Sequence, residues 1–130
     1  MTEIEIKPVG RVESSLTERA EAPKQGSEGA PEAWLVFGAE FGEALLGIEA
    51  GDEVIVLTWL DRGRRDVLRT RPRDDPANPI QGVFSTRSPD RPNPIGLHPV
   101  EVVEVDGLRV RVTNMEALDG TPILDLKPVI

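Results

Sequence analysis

Cysteine is absent from the 130 residues, and histidine occurs once, at position 98. Without cysteine there is no disulfide framework and no thiolate metal site. A lone imidazole builds neither a histidine metal site nor a conventional triad, so no metal is expected. No Gly-x-Gly-x-x-Gly follows a strand-like run, and no Walker phosphate loop is present. A nucleotide cofactor would have to be held by some other architecture. No apolar run approaches membrane-spanning length, and the N-terminus lacks a signal peptide's basic start and apolar stretch. The default expectation is a soluble, cytoplasmic protein without a membrane partner, built as one domain over residues 1–130.

What the chain does have is 12 glycines and 12 prolines. That many breakers predict short elements and many turns, hence β rather than helical architecture. The formal net charge is −8, which argues against general affinity for a polyanionic nucleic acid. The charge is unevenly spread. Residues 1–60 hold 12 acids and 4 bases, residues 61–91 hold 5 acids and 8 arginines, and residues 92–130 hold 6 acids and 3 bases. A local basic face on an acidic protein is compatible with this. So is a solvated stretch formed by Arg62, Arg64, Arg65, Arg69, Arg71 and Arg73.

Alternation of Ile4 and Ile6 with Glu3, Glu5 and Lys7, followed by Val9 and Val12, predicts a first strand with an edge or bulge at Pro8. Residues 13–32 are poor in large apolar groups and form a long loop, of a composition that permits disorder. Residues 33–37 read as a strand. Phe41, Leu45 and Ile48 at helical spacing predict one short helix over 39–48, ended before Gly51. Val54 to Leu60 reads as a strand buried on both faces, and Val67-Leu68 as a further short strand. Residues 71–79 are loop. Asp106-Gly107 between two alternating valine runs predicts a hairpin in which 108–113 pairs with 100–105 across a two-residue Asp-Gly turn. Arginines on its outgoing strand can pair with Glu101 or Glu104. Residues 123–130 form a last strand. Seven or eight short strands and one helix leave little room for parallel βαβ units. The expected fold is mainly β, a single small antiparallel β-barrel with one short helix.

The densest stretch runs from Gly82 to Leu97: Gly-Val-Phe-Ser-Thr-Arg-Ser-Pro-Asp-Arg-Pro-Asn-Pro-Ile-Gly-Leu. Pro89, Pro92 and Pro94 fix their own φ and push Ser88, Arg91 and Asn93 out of the helical region. Two guanidiniums on so stiff a backbone suit forked hydrogen bonding to a carboxylate or phosphate. A rigid connection with solvated arginines is the plainer alternative. A second distinctive run is Asp119-Gly120-Thr121-Pro122-Ile123-Leu124-Asp125-Leu126-Lys127-Pro128.

Both runs, in this order, resemble the signatures of the TsaA-like family, the tRNA methyltransferase O family. Residues 82–97 match its pattern throughout, and a weaker match lies at Pro23-Lys24-Gln25, where the family has Pro-Arg-Gln. The resemblance covers nearly the whole chain. It implies a small β-barrel that dimerises, with a site for S-adenosylmethionine (SAM) near the subunit interface. It further implies transfer of the methyl group to N6 of threonylcarbamoyladenosine at position 37 of tRNA.

Residue by residue, the resemblance carries Pro23, Lys24, Gln25, Arg87, Leu97, Asp119, Gly120, Thr121 and Pro122 over as cofactor contacts. Asp61 and Arg62 join them, aligned with a His-Gln pair in longer members. Arg91 and Asn93 either bind substrate or brace the loop. A base is needed only if the accepting nitrogen loses a proton; Asp119 and Asp125 are the candidates. Asp119 also suits a plain turn, and Asp125 an ion pair. His98, often Ser in the family, reads as a satisfied or exposed imidazole. Val129 replaces the usual Tyr, longer relatives carry a further C-terminal domain, and the chain is acidic. These departures keep two alternatives open: a SAM-dependent methyltransferase of a small molecule, or a non-catalytic SAM-binding module.

Overall fold

The structure, a computed structural model, describes residues 2–24 and 26–130. It is mainly β, as expected. Eight strands occur among the described residues: β1 (Gly10–Glu13), β2 (Ala33–Phe37), β3 (Glu53–Trp59), β4 (Arg69–Thr70), β5 (Gln81–Gly82), β6 (Ile95–Asp106), β7 (Arg109–Val112) and β8 (Pro122–Pro128). Six form one antiparallel sheet in the order β1-β2-β7-β6-β3-β8. β8 pairs back onto β1 at Gly10–Ile123 and Arg11–Pro122, which closes the sheet into a barrel. β4 and β5 form a separate two-stranded arm.

Period-two alternation fills the interior. Along β3 the side chains of Val54, Val56 and Thr58 are buried and their neighbours less so. β2 contributes Ala33, Leu35 and Phe37. Val12, Val100, Val102, Val110, Val112, Met115 and Ile123 complete the core. Each fully buried Val, Leu, Ile or Met contributes about 1.5–3 kcal/mol. β3 is thus buried on one face, not both; its outer face is only partly covered by neighbouring chain.

Several expectations shift. The alternating stretch at Ile4 and Ile6 is not a strand: Ile4 is 81% exposed, and pairing begins only at Gly10. Alternation there has no partner to bury it. The short strand expected at Val67-Leu68 forms two residues later, at Arg69-Thr70. The helix expected over 39–48 is a 3-10 helix, Ala39–Leu45, and four further 3-10 turns occur among the described residues. Leu45 and Ile48 still pack against the core. β6 begins at Ile95, inside the proline-rich signature. Pro99 fits because it lies where β6 pairs with β3, ahead of the register with β7 that starts at Val102.

The hairpin is present, but its turn is Gly107-Leu108, because Asp106 already pairs with Arg109. Arg111 reaches across to Glu104 at 2.9 Å, as the sequence pattern anticipates. Gly107 sits at φ 61°, in the left-handed region. Gly107→Ala is expected to lower stability by about 1 kcal/mol, read as an earlier urea midpoint. An unchanged midpoint would remove the turn's conformational requirement.

Candidate functional site

At one end of the barrel, four connecting segments surround a cavity of about 570 Å³. They are residues 19–24, residues 60–63, the signature loop with the start of β6, and residues 116–121. A volume of this size falls in the range of small-molecule and cofactor sites.

The signature loop is braced from within and from beside. A 3-10 turn, Val83–Ser85, starts it, and Val83 N–H donates to Leu68 O at 3.0 Å. The Arg91 guanidinium donates to the carbonyls of Thr86 (2.9 Å) and Ser88 (3.1 Å). Arg65 donates to Pro92 O at 2.7 Å and to Asn93 Oδ1 at 3.0 Å, with its guanidinium 5.1 Å from the Trp59 ring centroid. Arg91 and Asn93 therefore hold the loop's shape, while both also line the cavity.

Arg87 behaves differently. Its exposed side chain lines the cavity, and among the described residues it makes no hydrogen bond or ion pair. The neighbouring arginines are mostly occupied: Arg62 by Thr17 O, Arg64 by Asp66, Arg71 by Asn78 O, and Arg73 by Glu28. The basic stretch 61–91 is mainly an internal brace, which leaves Arg87 among the few guanidiniums available to a ligand.

The start of the long loop, residues 14–16, is tied to the Asp119-Gly120 turn. Asp119 Oδ1 accepts Ser14 N–H at 3.0 Å, Asp119 N–H donates to Leu16 O, and Gly120 N–H donates to Val12 O. The Asp119-Gly120 turn thus suspends the chain that delivers Pro23 and Lys24. Asp90 secures the same chain from the signature side. Its carboxylate accepts Arg64 N–H at 2.9 Å and faces both Arg19 nitrogens at 3.4 Å. Burial pushes the Asp90 carboxyl up, but the Arg64 N–H and the Arg19 guanidinium together outweigh it and hold it below its ordinary value.

His98 and Glu116 line the cavity, with Thr58 bonded to His98; of the three, the sequence singled out only His98. Thr58, His98 and Glu116 form a chain: Thr58 Oγ1 to His98 Nε2 at 2.6 Å, and His98 Nδ1 to Glu116 Oε1 at 2.6 Å. His98 is 3% exposed, so its imidazole is satisfied and buried. Gly96 makes room for this chain. A Cβ there would lie 2.5 Å from Thr58 Oγ1 and 2.6 Å from His98 Nε2. A register shift between Leu57 and Thr58 in the β3–β8 pairing adjoins the same point. Glu116, in a loop, gave no sequence signal beyond its closeness to the Asp119 motif.

Of the residues carried over from the resemblance, the cavity gathers nine: Pro23, Lys24, Asp61, Arg62, Arg87, Arg91, Asn93, Leu97 and Thr121. Asp119 and Gly120 line a different cleft, with Trp34 and Arg111. Pro122 lines neither cavity. Asp125 is exposed, 4.0 Å from Lys127, and Leu126 N–H donates to its carboxylate. Gln25 lies outside the described residues. Among the described residues no cluster of ligating side chains fits a metal ion, and no helix is long and apolar enough to cross a membrane.

The chain belongs to the tRNA-methyltransferase O N-terminal domain family, whose model matches residues 11–130. A probable S-adenosyl-L-methionine-binding protein of Methanothermobacter thermautotrophicus is 44% identical over 126 residues, covering 97% of this chain and 90% of that one. An S-adenosyl-L-methionine-binding protein of Archaeoglobus fulgidus is 41% identical over 122 residues, covering 94% of this chain and 86% of that one. The crystal structure of TrmO from Pseudomonas aeruginosa superposes with a TM-score of 0.78 at 30% identity. That match covers all of this chain and 57% of the solved one, so the chain spans little more than half of that protein.

Asp90 makes the site acid-sensitive in a stated direction. Its folded value lies below the unfolded value of about 3.9. The stabilisation is therefore complete above that value and is lost as pH falls through the folded value. Asp90→Asn is expected to cost about 1–2 kcal/mol at neutral pH, and its melting temperature should fall less steeply than wild type below about pH 4. Parallel acid profiles for the two proteins would show that Asp90 is not the coupling group.

Proposed function

We propose that the cavity binds SAM and that the protein transfers its methyl group to tRNA, at N6 of threonylcarbamoyladenosine 37. The observation that carries this reading is Arg87: on a braced loop, without a partner among the described residues, it lines a cavity that gathers nine of the positions carried over from the family, of which Lys24, Asp61 and Arg62 differ in type. Membership of a tRNA methyltransferase family, and two relatives named as binding SAM, support the cofactor and the reaction class.

The residues present suit such a cofactor. Arg19, Lys24, Arg62, Arg87 and Arg91 set positive charge around the cavity, against the carboxylates of Asp61 and Glu116. A guanidinium fork matches the cofactor's carboxylate or ribose hydroxyls. Phe84, Ile95 and Leu97 offer exposed apolar surface at the same cavity, with Phe84 86% exposed, which suits a purine ring and the exclusion of water. When bound, SAM supplies a methyl group already activated by its sulfonium. The chain's part is to hold the reactants in line; as the N6–CH3 bond forms and the S–CH3 bond breaks, the N6 hydrogen leaves as a proton, to solvent or to a carboxylate of the cavity lining.

A second copy of the chain covering the exposed apolar rim would complete the site, and we include a homodimer in this reading. The main sheet closes on itself through β1 and β8, so the apolar rim, rather than a free outer strand, supports dimerisation. The net charge of −8 supports a second reading, methylation of a smaller molecule. Methyl transfer assayed on modified tRNA beside small-metabolite pools separates the two, and SAM binding without turnover on either would mark a binding module.

Arg87→Lys keeps the charge and loses the planar fork. SAM affinity is expected to fall about tenfold or more, since a hydrogen bond to a charged group is worth roughly 1.5–3 kcal/mol. The ligand-free melting temperature should stay at the wild-type value, because Arg87 is exposed and makes no hydrogen bond or ion pair among the described residues. Wild-type affinity in a folded Arg87→Lys protein would remove Arg87 from the site.

A further inference from the structure

Glu116 is the anomaly of the cavity. Its side chain is 14% exposed, one oxygen is engaged by His98, and Oε2 is shut off from solvent with no hydrogen-bond partner. Among the described residues it is the buried side-chain polar atom left unsatisfied. A buried carboxylate oxygen without a donor is costly, and such exceptions call for a cause. Nothing in the barrel's own hydrogen bonding supplies the missing donor.

The surroundings say what kind of group would. With the imidazole proton on Nδ1, Thr58 donates to Nε2 and Nδ1–H donates to Glu116, so both neighbours are fully used. They fix the carboxylate but leave it able to accept. Four of the five positive groups around the cavity bond elsewhere: Arg19 faces Asp90, Lys24 lies 3.7 Å from Asp74, Arg62 bonds Thr17 O, and Arg91 bonds the signature loop; the fifth, Arg87, lines the same cavity but makes no bond to Glu116. Among the described residues, then, no donor reaches Oε2. Glu116 lines the cavity, and the last torsion of a glutamate is broad and roughly two-fold, so its carboxylate has freedom to reorient when a donor arrives.

We propose that Glu116, positioned by His98 and Thr58, is the residue that accepts an N–H group of the bound ligand. This deepens the functional reading and rests on it. The N–H has two sources: an amino group of SAM, or the N6–H of the base to be methylated, a urea N–H in threonylcarbamoyladenosine. A carboxylate rejects a ligand lacking the N–H more strongly than shape alone would, because its oxygen then stays unpaired.

The test uses Glu116→Gln in the full chain. The amide oxygen can still receive His98 Nδ1–H, so the amide nitrogen presents a donor where the ligand's donor should sit. Calorimetric titration with SAM, single-turnover transfer to modified tRNA, and ligand-free melting are measured together. A SAM affinity at least tenfold weaker, with melting at or above the wild-type temperature, identifies the cofactor as the source. Unchanged SAM affinity with transfer slowed tenfold or more identifies the acceptor base. Glu116→Asp, which keeps the charge but withdraws it by one methylene, should move the same quantity less far. Affinity and transfer both within twofold of wild type would overturn the proposal and leave a purely structural Glu116–His98 pair. Wild-type protein that binds no SAM would overturn the functional reading and this proposal with it.

Discussion

The carboxylate of Asp90 joins three segments that are far apart in the chain. It sits in the signature loop, accepts the backbone N–H of Arg64, and faces the guanidinium of Arg19. The barrel alone would present an open end. These contacts, with Arg62 on Thr17 O and Asp119 on Ser14 N–H, draw the polar loop 13–32 and the signature loop together over that end. None of these bonds is strong alone in partly exposed surroundings. Their effect comes from acting on loops that prolines have already stiffened, so little conformational entropy remains to be lost.

The barrel itself supplies rigidity and a polar floor. β3 and β6 bring Thr58, Gly96 and His98 to one point through an antiparallel register, Thr58 opposite Gly96 and Val56 opposite His98. Below that point the interior is apolar. Above it the side chains turn polar, and the change marks where core ends and cavity begins. Gly96 is required by contact rather than by φ, since any side chain would occupy the space of the Thr58–His98 bond.

Much of this was legible in the sequence, and for identifiable reasons. Valine alternation around Asp106 and Gly107 gave the hairpin, displaced by one residue because Asp106 pairs instead of turning. The signature's prolines marked a stiff loop, yet they also hid the first residues of β6, since a strand flanked by Pro94 and Pro99 does not read as one. Alternation at Ile4 and Ile6 misled because periodicity says nothing about whether a partner strand exists. The sequence could name arginines but not divide their labour. Arg91 and Arg87 are four residues apart in one motif; the first braces loop carbonyls and the second bonds none of the described residues. Glu116 was invisible because its meaning depends on His98, 18 residues earlier, and on a bond it lacks.

The central claim is that ligand chemistry belongs to the cavity between Arg87 and Glu116, not to the cleft beside Trp34 and Asp119. A crystal structure of the protein grown with SAM tests this most directly. The account predicts cofactor density in the first cavity, with Arg87 within hydrogen-bond distance of a ligand oxygen. Cofactor density confined to the Trp34 cleft, with Arg87 still unpartnered, would contradict it.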